Sequence, residues 1–72
     1  MLYHVSTPTV SPGELWDADR TAEYLGTTKA VLAQERHKGV GLPYVRIGHR
    51  IRYRVTDILD YLDANTVRPG QD

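Results

Sequence analysis

Apolar residues recur along the middle of the chain in two rhythms, and the change of rhythm marks the elements. Ala18, Ala22 and Leu25 keep helical spacing, with Asp17 before them as an N-cap and Gly26 after them as a stop. This predicts a first helix over 18–25. Thr28 then caps a second helix over about 29–37, closed by Gly39. Its buried side is read as Val31, Leu32 and the stem of Glu35. Residues 40–43 hold Gly41 and Pro43 and predict a loop.

From Tyr44 to Val55 the rhythm becomes two. Val45, Ile47, Ile51, Tyr53 and Val55 are apolar or aromatic, and Arg46, Arg50, Arg52 and Arg54 fall between them. Such alternation predicts a half-buried hairpin. Cross-strand partners share a face. A two-residue loop at Gly48-His49 would pair Ile47 with Arg50 and mix the faces. A three-residue loop, Gly48-His49-Arg50, pairs Ile47 with Ile51, Arg46 with Arg52 and Val45 with Tyr53. The pattern therefore predicts the odd-length loop, with Arg46, Arg50 and Arg52 on one exposed face. Thr56 is then read as the cap of a third helix over 57–64, apolar along Ile58, Leu59, Tyr61 and Leu62.

The predicted order is helix, tight turn, helix, hairpin, helix: an α+β small winged helix-turn-helix. The candidate core is Leu15, Trp16, Ala22, Leu25, Leu32, Val45, Ile47, Ile51, Tyr53, Ile58 and Leu62. Ala22 and Gly26 are read as letting the first two helices approach closely. The domain is expected over 15–64, between a flexible or extended arm at 1–14 and a flexible tail at 65–72.

Composition changes little in this picture. Seventy-two residues allow one small domain. There is no cysteine, so no disulfide or thiolate metal site can staple it. No apolar run approaches the roughly 20 residues that a membrane helix needs. The first residues lack the pattern of a signal peptide. These features suit a reducing cytoplasm, away from membranes.

Charge changes the picture more. The net charge is zero. From 29 to 54, however, seven cations against Glu35 give +6; elsewhere Arg20 and Arg68 against eight carboxylates give −6. A basic middle between acidic ends is the footprint of a nucleic-acid face, although a merely dipolar surface would also show it.

The candidate chemistry follows. In a helix-turn-helix the second helix enters the major groove. Thr28, Lys29, Ala30 and Gln34 lie on the side away from Leu32. Gln suits adenine, Lys suits guanine or phosphate, and the Ala methyl suits thymine. Arg36, His37 and Lys38, at the far end, suit phosphates. The blander reading of each is a solvated helix face. On the hairpin, Arg46, Arg50 and Arg52, with His49 at the tip, suit the backbone or the minor groove. Arg54 is near enough in sequence to pair with Asp57 or Asp60. Catalysis has little support. His4, His37 and His49 lack metal-ligand spacing. Asp57, Asp60 and Asp63 read as a solvated or partner-facing helix side. The tyrosines read mostly as core, Tyr53 included. No cofactor is implied.

Three stretches are distinctive together: Ala-Glu-Tyr-Leu-Gly-Thr-Thr at 22–28, Lys-Gly-Val-Gly-Leu-Pro-Tyr-Val-Arg-Ile-Gly-His-Arg-Ile-Arg-Tyr-Arg at 38–54, and Asp-Ile-Leu-Asp-Tyr-Leu at 57–62. Over roughly 15–63 the chain resembles the excisionase family of small winged helix-turn-helix proteins, relatives of the MerR-type DNA-binding domain. The resemblance implies a recombination directionality factor of a phage or mobile element. Such a factor binds and bends attachment-site DNA and directs an integrase toward excision, without catalysis of its own. It places recognition contacts on Thr28, Lys29, Ala30 and Gln34, and wing contacts on Arg46, His49, Arg50 and Arg52. It implies double-stranded DNA and an integrase as partners, with copies associating on adjacent sites. Members often carry an apolar or aromatic residue where this chain has Glu35. Two rivals remain open: a small prophage-type transcription regulator, and a protein-interaction module that does not bind DNA.

Overall fold

The computed structural model describes residues 13–70, and most of the expected arm, together with the last two residues of the tail, lies outside them. Six elements follow in order: β1 (Leu15–Trp16), α1 (Ala18–Leu25), α2 (Lys29–Lys38), β2 (Val45–Ile47), β3 (Arg50–Arg54) and α3 (Val55–Ala64). The strands form an antiparallel sheet in the order β1-β3-β2. This is an α+β small winged helix-turn-helix, as the sequence predicts.

α1 begins where the Asp17 carboxylate accepts the Arg20 N–H at 2.8 Å. The Thr21 hydroxyl donates to the Asp17 carbonyl at 2.8 Å, which satisfies its one polar group and lets this fully buried side chain join the core. α2 starts in the same way, with Thr28 Oγ1 accepting the Val31 N–H at 3.1 Å. Both helices end in a Schellman motif. Gly26 and Gly39 take φ of 73° and 72°, and the residue after each donates back to Ala22 and Glu35 respectively. Gly26 is needed for that backbone angle and not for space. A Cβ there would meet nothing within 4 Å, so the close approach expected of it is not its role.

Gly41 is different. Its φ is 85°, and a Cβ would lie 3.0 Å from the Glu35 Cβ and 2.6 Å from Glu35 Oε1. The 40–43 loop thus folds tightly against the half-buried Glu35 and drives Leu42 into the core. α2 keeps its full length through Lys38 with a carboxylate at that position.

The hairpin departs from expectation. Ile47 pairs with Arg50, Arg46 with Ile51 and Val45 with Arg52, around a two-residue Gly48-His49 turn. Gly48 has φ 61° and His49 is not in the positive region, the pattern of the type II′ turn that suits strand twist. Turn geometry outweighed the matching of like residues across the strands. The core takes only Tyr53 and part of Ile51 from this sheet face. Consequently Ile47 stands 49% exposed and Val45 half-buried, outside the core expected for them.

On its other edge β3 pairs with β1, Trp16 opposite Tyr53 and Leu15 opposite Arg54. That register buries Trp16 and leaves Leu15 exposed, against the expectation for Leu15. The Val55 N–H donates to the Glu14 carbonyl at 3.1 Å, so the pairing runs up to the first residue of α3. Val55 is buried, and the helix starts there with Arg54 in the N-cap position and no side-chain cap. Thr56 therefore lies inside the helix as an exposed residue and caps nothing. The core is Trp16, Ala22, Leu32, Leu42, Tyr53, Val55 and Ile58, backed by Ala18, Leu25, Ile51 and Tyr61. Leu62 and Val31, expected inside, are at its exposed margin.

Candidate nucleic-acid interface

α2 turns Leu32 inward and presents its other side to solvent. Thr28, Lys29, Ala30, Gln34, His37 and Lys38 are all exposed. Ala30, Gln34 and His37 are spaced i, i+4, i+7 and so share one stripe. The Thr28 oxygen is engaged as the helix cap, which leaves its proton free to donate. Lys29 Nζ lies 3.7 Å from Asp19 Oδ2, an exposed pair of the kind that solvent makes weak.

Arg36 differs from its neighbours. It is half-buried, and its guanidinium donates to the Tyr53 hydroxyl at 2.7 Å. That charge-assisted bond ties the end of α2 to β3. Sequence reading assigned Arg36 to phosphate alone; here it also sets how the helix sits on the hairpin.

The hairpin register divides the arginines that were expected together. Arg46 shares the face of its partner Ile51, toward α2, whereas Arg50, Arg52 and Arg54 share the outer face with Val45 and Ile47. His49 is exposed at the tip. Arg52 folds back so that its guanidinium donates to the Ile51 carbonyl at 2.8 Å. Between α2 and β3 runs an open groove. Lys29, Ala33 and Arg36 form one wall, Ile51 and Arg52 the other, and Asp17 and Asp19 sit at one end.

Ion pairing sharpens the charge split. Among the described residues, Lys29 pairs with Asp19 and Arg54 with Asp57 at 4.0 Å, one of the two partners foreseen for it. Arg20 and Arg68, outside the basic segment, take Glu14 and Asp63. Arg36, Lys38, Arg46, Arg50 and Arg52 have no carboxylate within salt-bridge distance among those residues. Five cations on α2 and the hairpin thus lack an internal counter-charge. An anionic polymer lying across the two elements would supply it.

The tyrosines, expected mostly in the core, divide: Tyr53 is buried, but Tyr24 is 47% exposed and Tyr44 38%. Tyr44 is near two arginines, with the Arg36 and Arg46 guanidinium carbons 5.8 Å and 5.9 Å from its ring centre. Sequence offered one signal for this, an aromatic residue two positions before an arginine in the same strand register. Among the described residues no three His, Asp or Glu side chains are placed to hold a metal, and no helix is long and apolar enough to cross a membrane.

Two short helices joined by a three-residue turn, then a basic hairpin, define a winged helix-turn-helix, a DNA-binding class that is typically non-enzymatic. The model of the helix-turn-helix domain family matches residues 17–66, and the chain belongs to that family. No curated protein matches it.

Proposed function

We propose that this protein is an excisionase-type recombination directionality factor, which binds attachment-site DNA and steers an integrase toward excision. The observation that carries DNA binding is the set of five cations on α2 and the hairpin without a carboxylate partner among the described residues. The directionality role is supported by the residue resemblance over roughly 15–63, above all the run from Gly41 through Tyr53. α2 enters the major groove, where Lys29, Ala30 and Gln34 meet base edges and Thr28, His37 and Lys38 meet flanking phosphates. The hairpin lies along the adjacent backbone, where Arg50, Arg52 and His49 reach toward the minor groove and Arg46 faces back toward α2. Arg36 holds the two elements at their working angle. One such domain covers a short site, so copies on adjacent sites, or the integrase, supply the remaining affinity.

The test is an integrase-dependent excision assay on a supercoiled plasmid, with and without this protein. Stimulation that is lost in Lys29→Ala and Arg50→Ala supports the proposal. No stimulation, with repression of a neighbouring promoter, would reassign the protein as a regulator. Absence of salt-dependent duplex binding would point to the interaction module.

A further inference from the structure

Tyr44 occupies an unusual position for a residue of the α2–β2 connection. Its ring is partly exposed, and the guanidiniums of Arg36 and Arg46 both approach it, at almost equal distances. Arg36 is anchored by its bond to Tyr53. Arg46 has no hydrogen bond or ion pair among the described residues, and neither does the Tyr44 hydroxyl. The ring also walls an open depression with Arg36, Gly39, Gly41 and Pro43.

Cations outnumber carboxylates around it, with Glu35, set against Gly41, the acidic residue of this stretch. The last turn of α2 carries Arg36, His37 and Lys38, and the Gly39 and Val40 N–H groups already occupy carbonyls that would otherwise repel an anion. The hairpin register places Arg50 and Arg54 on the other side of the sheet, while the Arg52 guanidinium folds back to the groove that Arg36 also lines. Arg46 and Arg50 therefore lie on opposite faces of the hairpin and reach an anion from different sides.

We propose that Tyr44 and Arg46 grip one DNA phosphate beyond the C-terminal end of α2, the Tyr44 hydroxyl donating to a phosphate oxygen while Arg46 neutralises its charge. Arg36 is a positioning residue, held by Tyr53, that packs against the ring. This contact is distinct from the one made by the outer face of the hairpin. The inference rests on the DNA-binding reading above.

The experiment is fluorescence-anisotropy titration of the full chain against a short labelled mixed-sequence duplex over a range of salt concentrations. Tyr44→Phe keeps the ring and both cation contacts and removes only the donor. It is expected to bind roughly 10-fold more weakly, with an unchanged salt slope and an unchanged melting temperature. Arg46→Gln lowers the slope by about 0.9, one phosphate's worth. In the double variant the two losses are less than multiplicative, because both groups serve one phosphate; Arg50→Gln combined with Tyr44→Phe multiplies fully. Wild-type affinity in Tyr44→Phe, or fully multiplicative losses for Tyr44 with Arg46, overturns the proposal while Arg50→Gln still weakens binding. If the wild type shows no salt-dependent binding at all, the DNA-binding reading fails first and removes the ground for this one.

Discussion

Gln34 stands on the exposed stripe of α2, two positions past the buried Leu32, and its side chain makes no hydrogen bond among the described residues. A side chain in that place is free to pair with a base edge. Gln34→Ala is expected to cost about 1–3 kcal/mol on the cognate site and almost nothing on random duplex, measured by competition binding. Tyr53 is the opposite kind of residue. It is 1% exposed, and its hydroxyl meets Arg36 at 2.7 Å. Tyr53→Phe leaves the packing intact but strands that guanidinium in a half-buried place. It should lower unfolding stability by about 1.5 kcal/mol in a chemical-denaturation titration. DNA affinity should fall as well, because the angle between helix and hairpin is loosened.

Among the elements, glycines carry the clearest expectation. Gly26→Ala meets only the left-handed backbone penalty, about 1 kcal/mol. Gly41→Ala adds a collision with the Glu35 side chain on top of that penalty and should cost roughly 2–3 kcal/mol, so thermal melting ranks the two. Helices α1 and α2 were legible because their ends are marked by residues whose effect is local, Asp17, Gly26, Thr28 and Gly39. The hairpin was legible in existence but not in register. Alternation by twos cannot tell a two-residue turn from a three-residue one when both faces carry apolar and basic residues, as Val45, Ile47 and Arg50 do here. The start of α3 was misplaced for a related reason. A hydroxyl at Thr56 looks like a cap, but burial of Val55 and its bond to Glu14 start the helix earlier. Strand β1 is two residues long and has no periodicity to read; only its pairing with β3 makes it a strand. In the candidate site, exposed α2 residues followed directly from helical spacing, whereas the placing of Tyr44 near two arginines depends on how a loop returns to a helix.

At the scale of the whole molecule, neutrality conceals a strong dipole. Four acidic residues outside 29–54, Glu14, Asp63, Asp19 and Asp57, pair with Arg20, Arg68, Lys29 and Arg54, whereas Lys38, Arg46 and Arg50 stand exposed, and Arg36 and Arg52 half-buried, without a carboxylate within salt-bridge distance among the described residues. If Lys38, Arg46, Arg50 and Arg52 all meet phosphates, the logarithm of the binding constant should fall with the logarithm of salt at a slope of about −3.6. A slope near zero would mean that the dipole serves something else.

One further consequence follows from the way β3 runs into α3. Arg54 ends the strand and Val55 begins the helix, with no residue left over to act as a hinge. The hairpin is therefore a lever and not a flap. Force applied at its tip by a stiff duplex passes down β3 to Tyr53, Val55 and Ile58, the least exposed apolar side chains of the core. How firmly the tip can press on a duplex is then limited by how tightly those three buried side chains are packed, one step behind the exposed basic surface.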